Sequence, residues 1–359
     1  MAGQPPARPE AGQDPGHGRW PHGLRTDLRP RVRPGEQGPV RQTGGLPQAV
    51  TLNLARPCCH QDLTQYRHKV VRDLVWSLFS RDLIDCGRHG WPCLEEDWLC
   101  QVLVEILPAL AALDEDPTPL IEDLAAARST RLGESFERLV AHGLQLHPEV
   151  ELLARNQPIR DGNATVGEID LLLRLEGADD LLAIETSVKF YLGPRDGDPD
   201  PARWLGPNPE DRLDARLERL RRQLALCEHP ATRAWLQRQG LPACRARALM
   251  RGRLFHHRGH WDEAPAPEGL AGDHLRGWWV GRHELAEWMD PRAQWVVLDR
   301  SDWLAPLCCN DQVQPLDATG LKRLVDSRLF RQPVCLAEIV EGQERSRGFV
   351  LPEGMAQKL

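Results

Sequence analysis

The stretch LLAIETSVKFYL, residues 181–192, has the length and apolar content of a buried strand, yet it carries Glu185 and Lys189 four residues apart. Side chains on a strand alternate between its two faces, so parity decides which of them meet. Leu182, Ile184, Val188, Phe190 and Leu192, with Thr186, form an apolar even face. Glu185, Ser187 and Lys189 share the odd face. This is the pattern of a strand with one side in the core and the other reserved for charge.

Two further runs of strand length precede it, ELLARNQPI at 151–159 and VGEIDLLLRL at 166–175, separated by DGN at 161–163 and followed by EGADD at 176–180. In the second, Glu168 and Asp170 share one face while Ile169, Leu171 and Leu173 share the other. Upstream, RLGESFERLVAHGL sets Leu132, Phe136, Leu139 and Val140 on one helical face. Downstream, PEDRLDARLERLRRQLAL aligns Leu213, Leu217, Leu220 and Leu224 and surrounds them with Arg212, Arg216, Arg219, Arg221 and Arg222. RALMRGRLF at 247–255 adds another strand. The predicted core, residues 126–256, is an α/β unit of α-β-β-β-α-β order with a mixed central sheet.

Around this core, Val70, Leu74, Leu78 and Phe79, then Trp98, Leu99, Val102, Leu103, Ile106 and Leu107, recur at helical spacing. They predict an N-terminal helical segment over 60–125, interrupted at Pro108, Pro117 and Pro119. Residues 257–359 alternate helix-like and strand-like pieces, predicting a C-terminal α+β extension packed on the core. Residues 1–50, with nine Pro and nine Gly, predict a disordered tail.

A net charge of -7 excludes a molecule that is polybasic throughout, so any nucleic-acid site must rest on particular residues. Lysine occurs only at 69, 189, 322 and 358. The N-terminus lacks the apolar stretch of a secretory signal, and no run is long and apolar enough to span a bilayer. With ten cysteines, this predicts a soluble cytoplasmic protein with reduced thiols. Cys58, Cys59, His60, Cys86, His89 and Cys93 match no regular zinc spacing, and Cys86, Cys93 and Cys100 recur every seven residues, as in helix packing. These, with Cys308 and Cys309, read as small packed thiols. Trp278, Trp279, Trp295 and Trp303 read as core or interface anchors.

Carboxylates in an apolar strand are costly unless paired or bound to a cation. Two or three that converge suit a hard divalent ion, Mg²⁺ or Mn²⁺. A nearby lysine then positions or deprotonates the attacking water. The bland alternative is a solvated strand face carrying a weak ion pair. The ordered set of helix glutamate, GEID and apolar-E-x-x-x-K resembles the PD-(D/E)xK nuclease superfamily, whose core has the same element order.

The resemblance spans about 125–256. It implies Asp170 and Glu185 as metal ligands, Lys189 as the catalytic lysine and Glu137 as the helix acid. Gln223 falls where members contact substrate, and Arg216 of the same helix is a candidate phosphate contact. The superfamily usually places its lysine two residues after the glutamate, where this chain has Ser187. More narrowly, RLGESFERL, VGEIDLLL, ETSVKFYLG, HLRGWW and VVLDRSDWLAP resemble an uncharacterised bacterial family of unknown function over most of 60–350. The expected activity is metal-dependent phosphodiester hydrolysis of DNA or RNA; the alternative is an inactive nuclease-fold protein that binds nucleic acid or a protein partner.

Overall fold

The structure is a computed structural model that describes residues 62–359 except 88, 89, 128, 309 and 328–330. The tail at 1–50 and Cys58, Cys59, His60, His89 and Cys309 lie outside the described residues. Helices α1 (Lys69–Phe79), α2 (Glu96–Glu115), α3 (Thr118–Ala125) and α4 (Leu132–Gln145) precede three long strands, β1 (Val150–Asp161), β2 (Ala164–Leu175) and β3 (Leu181–Leu192). Helices α5 (Leu213–Leu224) and α6 (Pro230–Arg238) lead to β4 (Cys244–His257). The α-β-β-β-α-β order is therefore present, with α6 added before the last strand.

β1, β2 and β3 form an antiparallel meander, and β4 runs parallel to β3 over twelve rungs, from Leu181–Cys244 to Leu192–Phe255. The sheet continues through β5 (Arg276–Gly281), which pairs with the last four residues of β4. A short helix α7 (Leu285–Trp288), β6 (Gln294–Leu298), α8 (Ala318–Asp326), β7 (Val334–Val340), β8 (Gln343–Leu351) and α9 (Glu353–Ala356) complete the chain. The strand order is β1-β2-β3-β4-β5-β8-β7-β6. The C-terminal residues thus extend the same sheet.

Strand alternation divides the core. Ile184, Phe190 and Leu192 of β3 join Leu171 and Leu173 of β2, Trp279 and Phe349 in one large cluster beneath α1–α4. On the opposite face Tyr191 packs with Leu213, Leu217 and Leu220 of α5, and Leu181 and Ala183 with Leu236 of α6. The even–odd division expected for 181–192 is therefore observed. The four C-terminal tryptophans are buried as expected.

Three expectations need correction. Pro108 lies inside α2 instead of interrupting it. The carbonyl it leaves without a helical donor, on Val104, belongs to an exposed residue. Cys86 and Cys93 form a disulfide instead of remaining reduced. They also do not share a helix: the segment between α1 and α2 turns back on itself, bringing their Cα atoms within 5.7 Å, a spacing suited to the bond. Finally, Ile169 packs with Leu172 on the α6 side and not with Leu171. The break falls beside Asn156, which has φ 48°, where the β1–β2 ladder passes from Arg155–Leu171 directly to Gln157–Ile169.

Candidate active site

The β2–β3 ladder has three rungs, Leu171–Ile184, Leu172–Ala183 and Leu173–Leu182, and ends there. The next residues along each strand are Asp170 and Glu185. Where backbone pairing stops, the Asp170 side chain takes over: its Oδ2 accepts from the Thr186 backbone N–H at 2.8 Å and from Thr186 Oγ1 at 3.2 Å. The two carboxyls are near enough that each affects the ionisation of the other. Burial raises Asp170 above the usual carboxylate range. Burial and then the Asp170 charge push Glu185 up to about 8.

Helix α5 supplies the countercharge. Arg216 Nη2 stands 3.6 Å from Glu185 Oε1, and Gln223 Nε2 donates to Glu185 Oε2 at 3.3 Å. Arg219 adds a positive field at Glu185. Arg216 Nε is buried and has no hydrogen-bond partner among the described residues. The leucine stripe of α5 packs on the sheet, which holds Arg216 and Gln223 toward Glu185.

Helix α4 brings the third acid. Glu137 is buried, and burial followed by the charge of Asp170 pushes it up to about 7. Its Oε1 accepts from Asn156 Nδ2 at 2.6 Å and lies 3.9 Å from Arg155 Nε. The left-handed backbone at Asn156, a conformation asparagine tolerates, accompanies this contact. Close packing sets the helix: a Cβ on Gly143 would lie 2.4 Å from Leu78 Cδ1, so glycine allows α4 to approach α1.

Lys189 is held elsewhere. Its Nζ donates to Asp211 Oδ2 at 2.8 Å, and Tyr191 Oη donates to Asp211 Oδ1 at 3.1 Å. Glu185, Arg216 and Gln223 are thus joined by direct contacts, Asp170 stands beside them on Thr186, Glu137 acts through its field, and Lys189 is engaged with the loop before α5. Sequence reasoning missed Thr186, Asn156, Arg155 and Asp211. Asn156 had one visible signal, a turn-type residue in mid-strand. Asp211 had none, because it pairs with Lys189 across 22 residues.

Among the described residues, no group of three His, Cys, Asp or Glu side chains is placed to hold a metal ion. The donor set is therefore the Asp170–Glu185 pair, with Glu137 beside it. A cavity of about 580 Å³ lies elsewhere, along the Cys86–Cys93 disulfide, and is lined by Asp82, Trp91 and Arg251.

The family model described as a domain of unknown function, DUF1853, matches residues 72–351. No curated protein and no solved structure matches the chain.

Proposed function

The chain belongs to the DUF1853 family, whose function is unknown, and from its own site we propose that it is a divalent-cation-dependent phosphodiester hydrolase acting on DNA or RNA. The observation that carries this reading is the meeting of Asp170, anchored by Thr186, and buried Glu185, held by Arg216 and Gln223, where the β2–β3 ladder ends. The element order around it is that of the PD-(D/E)xK core, which supports the same reading.

Two neighbouring carboxylates are a hard oxygen donor pair once ionised, and Mg²⁺ or Mn²⁺ suits such a pair when water and substrate oxygens complete its coordination. Bound there, the cation supplies Lewis acidity toward the phosphoryl group and the attacking water. The chain does the rest. Thr186 fixes Oδ2 of Asp170, and Gln223 and Arg216 orient Glu185. Arg216 Nε and the neighbouring Arg219 present donors and charge to a phosphate oxygen. Glu137, near neutrality, is suited to accept or return a proton.

The test is cleavage of single- and double-stranded DNA and RNA with Mg²⁺ or Mn²⁺. Asp170→Ala and Glu185→Ala should each abolish it, and a wild-type protein that cuts none of these substrates with either ion sinks the enzyme reading. The Lys189–Asp211 pair, with Ser187 at the usual lysine position, favours a second reading: an inactive scaffold that binds nucleic acid or a protein partner. Binding without turnover, undisturbed by Asp170→Ala, is the result that scaffold requires.

A further inference from the structure

Two cysteines behind the carboxylate pair are close enough to react with each other. Cys227 lies in the 3-10 turn Ala225–Glu228 that follows α5, and Cys244 opens β4. Their sulfurs are 2.7 Å apart across 17 residues of chain. A disulfide has its sulfurs about 2.05 Å apart, so the bond needs a shift of roughly 0.7 Å. Cys227 is buried beside Leu226 and Ala231, whereas Cys244 is half-buried and reachable from solvent.

We propose that Cys227 and Cys244 form a reversible disulfide, made and broken by exchange with low-molecular-weight thiols and disulfides, which locks the end of α5 and all of α6 onto the edge of β4. This reading does not depend on the activity proposed above. In the forward direction the Cys244 thiolate attacks one sulfur of a small disulfide, forming a mixed disulfide and releasing one small thiolate. Cys227, giving up its proton, then attacks the Cys244 sulfur and releases the second small thiolate. The protein loses two electrons and two protons, and the small disulfide is reduced to two thiols.

The roles follow from position and electrostatics. The hydrogen bond between the two thiols favours ionisation of Cys244, while the same bond together with burial opposes that of Cys227. The exposed partner is therefore the attacking one and the buried partner the resolving one. The closed loop contains α6, which covers Ile159, Ile169 and Leu172. Leu226, next to Cys227, lies so close to Gly167 that a Cβ there would be 2.9 Å from Leu226 Cδ2. The clamp thus acts on the strand that carries Asp170.

The experiment equilibrates the full chain against graded ratios of reduced and oxidised glutathione, quenches with acid and alkylating agent, and maps peptides without reduction. A Cys227–Cys244 linked peptide should rise with the oxidised fraction and vanish on reduction. The oxidised form of the wild type should melt about 5 °C higher than the oxidised form of Cys244→Ser, in both of which Cys86–Cys93 is intact. The proposal is overturned if both thiols remain alkylatable at full oxidation, or if each is recovered only as its glutathione adduct. Should Cys244→Ser fail to fold, the wild-type peptide map decides alone. Asp170→Ala should leave the linked peptide unchanged, which separates this outcome from that of the cleavage assay.

Discussion

Lys189 and Asp211 form an ion pair across 2.8 Å on the face of β3 that also carries Glu185. Four residues of extended strand separate Lys189 from Glu185, about 13 Å. The aspartate also accepts from the phenol of Tyr191, which is fully buried. The two partners are therefore unequal. Lys189→Met should cost at most about 1 kcal/mol, as for a partly exposed ion pair, whereas Asp211→Ala strands the tyrosine hydroxyl and should cost about 1–3 kcal/mol. Urea unfolding of both variants checks this, and equal costs would refute it.

The carboxylate cluster predicts how stability responds to pH and to metal. Glu137 at about 7 and Glu185 at about 8 stand above the ordinary value near 4.5. Between these values the folded chain keeps protons that the unfolded chain has released, so stability falls as pH rises from about 4.5 toward 8. A divalent cation replaces those protons. Mg²⁺ or Mn²⁺ should therefore raise the melting temperature more at pH 8.5 than at pH 6, and Glu185→Gln should stabilise the metal-free protein at pH 8.5 while abolishing the metal response. A metal shift that is larger at pH 6 contradicts the cluster as a cation site.

A pair of histidines sets the opposite limb. His274 Nδ1 donates to the Ala271 carbonyl at 2.6 Å, which leaves its Nε2 to accept from His256 Nε2–H at 3.0 Å. Burial pushes His256 down to about 3 and His274 to about 4. Both are neutral in the fold and protonated in the unfolded chain below about 6.5, so their stabilisation, complete above that pH, is lost as acid is added. Between pH 7 and pH 5 the two histidines alone would cost the fold about 2–4 kcal/mol, against the opposite trend of Glu137 and Glu185, so His274→Gln should shift the net slope toward greater stability in acid. Denaturant titrations at pH 7, 6 and 5 measure it.

Gly252 pairs with Lys189 in the β3–β4 ladder at φ 152°. A Cβ built there would lie 1.8 Å from the Lys189 carbonyl oxygen, a backbone atom with nowhere to move. Gly252→Ala should cost more than about 3 kcal/mol or abolish soluble expression. A melting temperature within two or three degrees of wild type would show that the strands part more easily than this contact implies.

Much of this was readable from residues 181–192 alone, because alternation is local: it put Glu185 and Lys189 on one face and Ile184 and Phe190 on the other without reference to any partner. Helices α4 and α5 were likewise legible from leucine spacing. The illegible features all depend on distant contacts or on solvent. Pro108 is tolerated in α2 because Val104 faces water, and Asp211 claims Lys189 from beyond the strand. Asn156 reaches Glu137 through a backbone turn that its neighbours do not encode. The Cys86–Cys93 spacing suits a helical heptad and a folded-back loop equally well, and only the path of the chain decides between them.

β4 belongs to two neighbourhoods at once: residues 244–255 pair with β3, and 254–257 pair with β5. No position divides the acid-bearing strands from the tryptophan-rich ones without leaving β4 an open flank. A cut between them would unpair residues 254–257 of β4 from β5, so the acid-bearing and tryptophan-rich strands stand or fall as one sheet.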